Sequence, residues 1–188
     1  MTEQPPAGET HLDEQGRPEP PLHASEIDTL TGFLDFQRAT LEWRCRDLSD
    51  EQLRTALHPT SMTLGGLLKH LALVEDDWFT ANVGQQSMPE PWVSVDWEAD
   101  GDWEWHSATH DTGDDLRALW QRAVERSRAV VQSRLAEDPA GALDRCSPAS
   151  GGREVSMRWV LVHMIEEYAR HNGHADLLRE SIDGQTGE

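Results

Sequence analysis

The sequence predicts an all-α fold, a four-helix bundle with a disordered N-terminal tail and a long tryptophan-rich loop between helices two and three. Four stretches of about 20 residues repeat apolar positions at helical three- and four-residue steps. Residues suited to capping helices precede these stretches. The 188 residues are enough for a single domain with a substantial core. Helices of this kind suit an up-and-down bundle with a site between facing helices.

The first 22 residues predict a flexible tail. They contain Pro5, Pro6, Pro18, Pro20 and Pro21 among charged and small residues. Such a composition buries too little apolar surface to order itself, although it could dock on the body. We therefore expect a tail over residues 1–22 and a helical domain over residues 23–184.

The first helix is predicted to begin after Ser25, a suitable N-cap. Its apolar stripe consists of Ile27, Leu30, Leu34, Leu41 and Cys45. Ser49 and Gln52 have the spacing of a capping box, which indicates a short second segment.

The second long helix is predicted from about Thr63 to Val83. Its buried side consists of Leu64, Leu67, Leu68, Leu71, Val74 and Trp78. His70 neighbours Leu67 and Val74 on this side and can face inward. Glu75 and Asp76 are candidate hydrogen-bond partners for its imidazole, or else form a solvated acidic face.

Residues 84–113 predict a long irregular insert that contains Trp92, Trp97, Trp103 and Trp105. Connections this long are usually functional or disordered. The four tryptophans favour a packed flap over one end of the core. The flap either closes a substrate pocket or is merely anchored by its indoles.

A third long helix is predicted from Asp114 to Pro139, followed by a loop over residues 140–155. Ser156 should cap the last helix, and Gly184 should end it. At about 100° per residue, Glu167, His171 and His174 of this helix lie about 40°, 80° and 20° from His163. Polar groups aligned on an apolar face need a partner when buried, and a divalent metal ion supplies one.

His70, Glu167 and His171 are the predicted metal ligands. Glu167 and His171 are four residues apart on a helix, so both can reach one ion. Three protein ligands leave positions open, as in catalytic sites. Nitrogen and carboxylate donors suit zinc, nickel, iron, manganese or cobalt, and spacing does not choose among them.

His163, His174 and Glu166 are the candidate catalytic residues around this set. His163 and His174 could transfer protons or complete the coordination, and Glu166 and His174 are candidate bases for a hydrolysis. Two other hypotheses remain open: a non-catalytic metal- or small-ligand-binding protein linked to stress, and histidines that hydrogen-bond within the core without metal.

A formal net charge of −19 argues against nucleic-acid and anionic-membrane partners. No apolar run reaches about 18 residues, so no membrane span is expected. The N-terminal residues lack the apolar segment of a signal peptide. We expect a cytoplasmic protein that acts on a small molecule.

Two phrases, GGLLKHLALVEDDWF (65–79) and HMIEEYARHNGHADLLRE (163–180), resemble the DinB/YfiT-like superfamily of four-helix metalloproteins. Many members have histidine where this chain has Glu167, and the Glu-xxx-His version is similar to the mycothiol-dependent maleylpyruvate isomerase branch. The resemblance implies a divalent ion, zinc first, and a low-molecular-weight thiol co-substrate in a transferase or isomerase reaction. The superfamily also contains bacillithiol transferases and hydrolases, and its members suggest a homodimer.

Overall fold

The computed structural model describes residues 11–149 and 152–187, and these are mainly helical, as predicted. The elements are α1 (Glu26–Cys45), α2 (Asp50–Leu53), α3 (Leu64–Glu75), α4 (Trp103–Ser107), α5 (Gly113–Glu137), β1 (Cys146–Ala149), β2 (Arg153–Ser156) and α6 (Met157–Asp183). The two strands pair antiparallel, within the predicted 140–155 loop and up to Ser156. Within the described ranges, no helix is both long and apolar enough to cross a membrane.

Side-chain caps set the helix ends where the sequence predicted them. Ser25, Ser49 and Ser156 accept backbone N–H groups at the starts of α1, α2 and α6. These bonds satisfy donors that the first turn of a helix leaves unpaired. Gly184 follows α6 with φ of 80°, a left-handed conformation that favours glycine.

The predicted second helix changes its winding at Asp76. Residues Asp76–Val83 continue α3 as a π-helix, with wider turns than an α-helix. The carboxylate of Asp76 is buried there and accepts hydrogen bonds from Arg126 at 2.8 Å and from Trp92 Nε1 at 2.9 Å. Apolar periodicity alone does not distinguish this segment from an α-helix.

The long helices pack in pairs around a common apolar core. α1 lies along α6, α3 lies along α5, and α3 also contacts α6. A buried polar network crosses this core. Glu75 of α3 accepts from Arg38 of α1 at 2.7 Å and from Tyr168 of α6 at 2.8 Å, while Trp120 of α5 donates to Tyr168 at 2.8 Å. The network holds α6 against α3 at Tyr168, the residue that follows Glu167.

The N-terminal segment was expected to be a flexible tail that could dock on the body, and its described part packs on α1. Residues 1–10 lie outside the described residues, whereas residues 11–22 contact α1. The guanidinium of Arg17 is buried over the rings of Phe36 and Trp43, at 4.6 and 4.8 Å, and donates to Thr40. A composition argument counts apolar side chains, and so it missed an arginine that packs on aromatic rings.

Candidate metal centre

The structure brings His70, Glu167 and His171 together, although they come from distant parts of the sequence. One donor atom of each lies within 4.8 Å of the others. Glu167 Oε1 is 3.2 Å from His171 Nε2 and 3.5 Å from His70 Nε2. His70 faces α6 because α3 packs against it, and one helical turn separates the other two residues.

The chemistry of this donor set fits a divalent ion. Both imidazoles direct Nε2 at the same carboxylate oxygen, so three electron-pair donors converge. The close approach of these three donor atoms requires a proton or a cation between them. Tetrahedral zinc with bonds of about 2.0 Å places its ligand atoms about 3.3 Å apart. The two measured separations from Glu167 lie on either side of that value.

Glu104 of α4 fixes the imidazole of His70. Its Oε1 lies 3.1 Å from His70 Nδ1 and accepts a hydrogen bond from the N–H group there, which leaves Nε2 directed at the cluster. A carboxylate behind a histidine ligand is the arrangement that orients such ligands in metalloproteins. The other oxygen, Oε2, is buried without a hydrogen-bond partner among the described residues.

The tryptophan-rich insert reaches the cluster as a packed flap. Trp105 stacks on the His70 ring, with centroids 4.7 Å apart. A Cβ on Gly66 would lie 2.7 Å from the Trp105 ring, so glycine permits this close approach. Lys69 also holds the flap, through Asp111 at 2.5 Å and the Trp103 ring at 4.4 Å. Consecutive residues of α3 thus anchor the flap.

Hydrogen bonds set the charges of the cluster. Those from His171 and then His70 hold the pKa of Glu167 well below its usual range, despite burial. Burial disfavours the charged form of His70, but the hydrogen bonds with Glu104 and Glu167 outweigh it and raise the pKa of His70. The metal-free cluster therefore favours an ionised Glu167 beside a protonated His70. A bound metal cation would take the place of the proton on His70.

The other predicted site residues divide into two groups. His174 touches the cluster, with its Nδ1 3.4 Å from Nδ1 of His171. His163 instead stacks on Trp159 at 4.9 Å and meets the edge of Trp78 at 5.0 Å. Its Nδ1 pairs with Glu166 at 3.3 Å. The structure thus brings His174, but not the His163–Glu166 pair, into contact with the cluster.

The family model described as Mycothiol-S-transferase matches residues 29–184. The chain belongs to this family. The match covers all three cluster residues and the flap, which agrees with the resemblance seen in the sequence. No curated protein matches the chain.

In this mycothiol S-transferase family member, the acid that pairs with His70 is not one of the two expected from the sequence. Glu75 and Asp76 were candidates to hold His70, but they pair with Arg38 and Arg126. Glu104 takes that role. The alternation of acids and tryptophans in the insert indicated a packed flap. It did not indicate which of the acids would accept a hydrogen bond from His70.

Proposed function

We propose that this protein is a metal-dependent S-transferase that joins a low-molecular-weight thiol of the mycothiol type to an electrophilic small molecule. The convergence of His70, Glu167 and His171, in a chain of this family, is the observation that carries the proposal. We also infer that the long helices form the four-helix bundle that the sequence predicted.

The three cluster residues would hold the ion, with zinc as the first expectation. A bound divalent cation supplies positive charge that lowers the pKa of a neighbouring thiol. Glu104 keeps Nε2 of His70 available for this role, and Trp105 covers the His70 ring and limits the access of water.

His174 is the proposed proton acceptor. Burial, and then the neighbouring His171, lower the pKa of His174. Its neutral ring can therefore take the proton that the thiol loses, since general bases work best when unprotonated near neutral pH. The sulfur then forms a bond to the electrophilic carbon, and the leaving group departs with the electron pair of its own bond.

His163 and Glu166 are better placed to pack the outer part of α6. They contact each other and two indoles, and Glu166 also accepts from Arg170. We therefore assign no proton transfer to them. A dimer and a cytoplasmic location remain predictions from the sequence.

Metal content is the first test of this proposal. Untagged protein, purified without chelators, should contain about one divalent ion per chain by inductively coupled plasma mass spectrometry. His70→Ala and His171→Ala should abolish it, whereas His11→Ala, which removes an exposed histidine that pairs with Glu19, should not. A wild-type chain that stays metal-free after incubation with Zn²⁺, Ni²⁺ or Mn²⁺ would overturn the proposal.

Thiol dependence is the second test. The metal-loaded protein should consume mycothiol in the presence of 1-chloro-2,4-dinitrobenzene, followed as loss of free thiol. Turnover of ester or amide substrates without added thiol would instead favour hydrolysis.

A further inference from the structure

A cavity of about 400 Å³ lies beside the candidate metal centre, between the π-helical segment Asp76–Val83 and the flap. This volume falls in the range of about 300–1,000 Å³ that is usual for small-molecule sites. Val74 lines the cavity and follows His70 by one turn of α3, a distance of about 6 Å along the helix. Glu104 also lines the cavity and contacts His70, so the cavity and the cluster share a wall.

Aromatic and apolar side chains form most of the cavity wall. They are Leu73, Val74, Trp78, Met88, Trp92 and Trp97. Trp97 is 37% exposed and Trp78 is partly exposed, so indole surface faces water at this cavity. An apolar ligand that covers this surface gains about 25 cal/mol for each Å² removed from water. The faces of these indoles are electron-rich and stack on electron-poor rings.

The tryptophans of the wall are held in place by their neighbours. Trp92 is buried, and its Nε1 donates to Asp76 at 2.9 Å. Trp103, behind the wall, contacts Trp92 and Trp97 edge-on, with ring centroids 6.3 and 6.4 Å apart. The Lys69 ammonium lies 4.4 Å from the Trp103 ring centroid and ties this group to α3. A wall that is fixed before the ligand arrives loses little conformational freedom on binding.

The ionisable groups of the cavity do not select a charged ligand. They are the carboxylates of Asp77 and Glu104. Glu104 already pairs with His70, and Asp77 is exposed to water, so neither requires a cation from outside. The described residues of the lining include neither lysine nor arginine, so an anion would lose water there without gaining a partner of opposite charge. The cavity therefore suits an uncharged ligand.

We propose that this cavity binds the electrophilic co-substrate, and that this molecule is an uncharged, electron-poor aromatic compound with a leaving group on the ring, such as a nitro-substituted aryl halide. This assignment of a substrate class rests on the proposed transferase function. The thiol gives its proton to His174, and its sulfur forms a bond to the ring carbon that carries the halogen. The bond from this carbon to the halogen breaks, and the halide departs with the electron pair.

Calorimetric titration with methyl 3,5-dinitrobenzoate and with 3,5-dinitrobenzoate tests the binding step without any reaction. The two probes share one ring and lack a leaving group, and only the second is charged at neutral pH. The ester should bind the purified protein about tenfold more tightly, because the carboxylate finds no cation in the lining. Met88→Lys places an ammonium group in the lining and should reduce this ratio.

Trp97→Ala should weaken ester binding about tenfold, because it removes an indole from the wall. Val93→Ala is the matched control, because it removes exposed apolar surface from the same flap outside the cavity lining, and it should leave the affinity unchanged. Circular dichroism checks that each variant folds, and the ratio of the two probes in the wild type does not depend on any variant.

Equal affinities for the two probes, tighter binding of the carboxylate, or unchanged ester binding in a folded Trp97→Ala would each overturn the inference. His171→Ala should lose metal and still bind the ester. Ester binding by the wild type without consumption of mycothiol would support the cavity and contradict the transferase. Consumption of mycothiol with 1-chloro-2,4-dinitrobenzene but no ester binding would contradict the cavity alone.

Discussion

At the scale of single residues, Glu104 fixes the orientation of the His70 imidazole, a proposed metal ligand. Its carboxylate accepts from His70 Nδ1 and directs Nε2 at Glu167. Removing such a partner usually weakens metal affinity about 10- to 100-fold. We expect Glu104→Ala to lower zinc affinity by this factor in competition with a chromophoric chelator. Glu98→Ala, in the same flap, should leave the affinity unchanged, and equal affinities in both variants would contradict the role of Glu104.

Protons and metal compete for the same atoms, which gives a defined pH dependence. The raised pKa of His70 stabilises the metal-free fold fully below the ordinary value of 6.5, and this contribution is lost as pH rises through the folded pKa. The lowered pKa of Glu167 contributes above its ordinary 4.5 and is lost as pH falls. Both contributions are present between 4.5 and 6.5.

We therefore predict that metal-free protein loses stability above pH 6.5 while apparent zinc affinity rises. Urea unfolding and zinc competition at several pH values measure the two quantities. In His70→Gln the stability should depend less on pH over this interval. A zinc affinity that falls between pH 6 and 8 would contradict the assignment of His70 as a ligand.

The helical stripe of α6 could be predicted from the sequence, but not which of its members meet α3. Angles around one helix place His163, Glu167, His171 and His174 on one face. Only the packing of α3 decides that Glu167 and His171 face His70, while His163 lies against Trp78 and Trp159. Periodicity predicts which residues share a face of one helix, whereas this site depends on how two helices pack against each other.

At the scale of elements, the contact between α3 and the flap depends on a glycine. Alanine is favoured over glycine within a helix by about 1 kcal/mol. At Gly66, however, the added methyl group would lie 2.7 Å from the Trp105 ring, whereas at Gly173 of α6 it would meet nothing within 4 Å. Gly173→Ala should therefore raise the free energy of unfolding by up to about 1 kcal/mol.

Gly66→Ala should instead lower the stability and displace Trp105 from His70. Urea unfolding measures the first effect, and a change in tryptophan fluorescence together with weaker zinc affinity reports the second. Equal effects of the two substitutions would show that Trp105 does not pack tightly on α3.

The element ends could be predicted, and the path of the insert could not. Ser25, Ser156 and Gly184 are local signals, because capping depends on residues within one turn. The position of Glu104 depends on how Trp92 and Trp103 pack against distant helices. Asp76, where the winding changes, likewise pairs with Arg126 on α5, a partner that no nearby residue reveals.

At the scale of the whole molecule, one polar network joins the four long helices. Arg38, Glu75, Trp120 and Tyr168 come from α1, α3, α5 and α6 in turn. Burial, and then the neighbouring Glu75, raise the pKa of Tyr168 well above its usual value, which keeps the phenol protonated as a donor. The network therefore couples the packing of the fold to the position of Glu167, one residue before Tyr168.

Removing the charge at the centre of this network should destabilise the whole fold. Glu75→Gln leaves the buried Arg38 with Asp35 as its remaining acidic partner, at 3.0 Å, and breaking a buried ion pair typically costs about 3–5 kcal/mol. Tyr168→Phe removes one buried hydroxyl and should cost about 1–3 kcal/mol. Glu137→Gln, in an exposed pair with Arg145, should cost less than about 1 kcal/mol.

Urea unfolding of the three variants tests this order, and zinc affinity then separates two kinds of coupling. If the network only stabilises the fold, Tyr168→Phe will bind zinc like the wild type under strongly native conditions. If it also holds α6 against α3, zinc affinity will fall in Tyr168→Phe and stay unchanged in Glu137→Gln. We expect the second result, because a small rotation of α6 at Tyr168 also displaces Glu167 from His70. Equal stability losses in Glu75→Gln and Glu137→Gln would contradict the network itself.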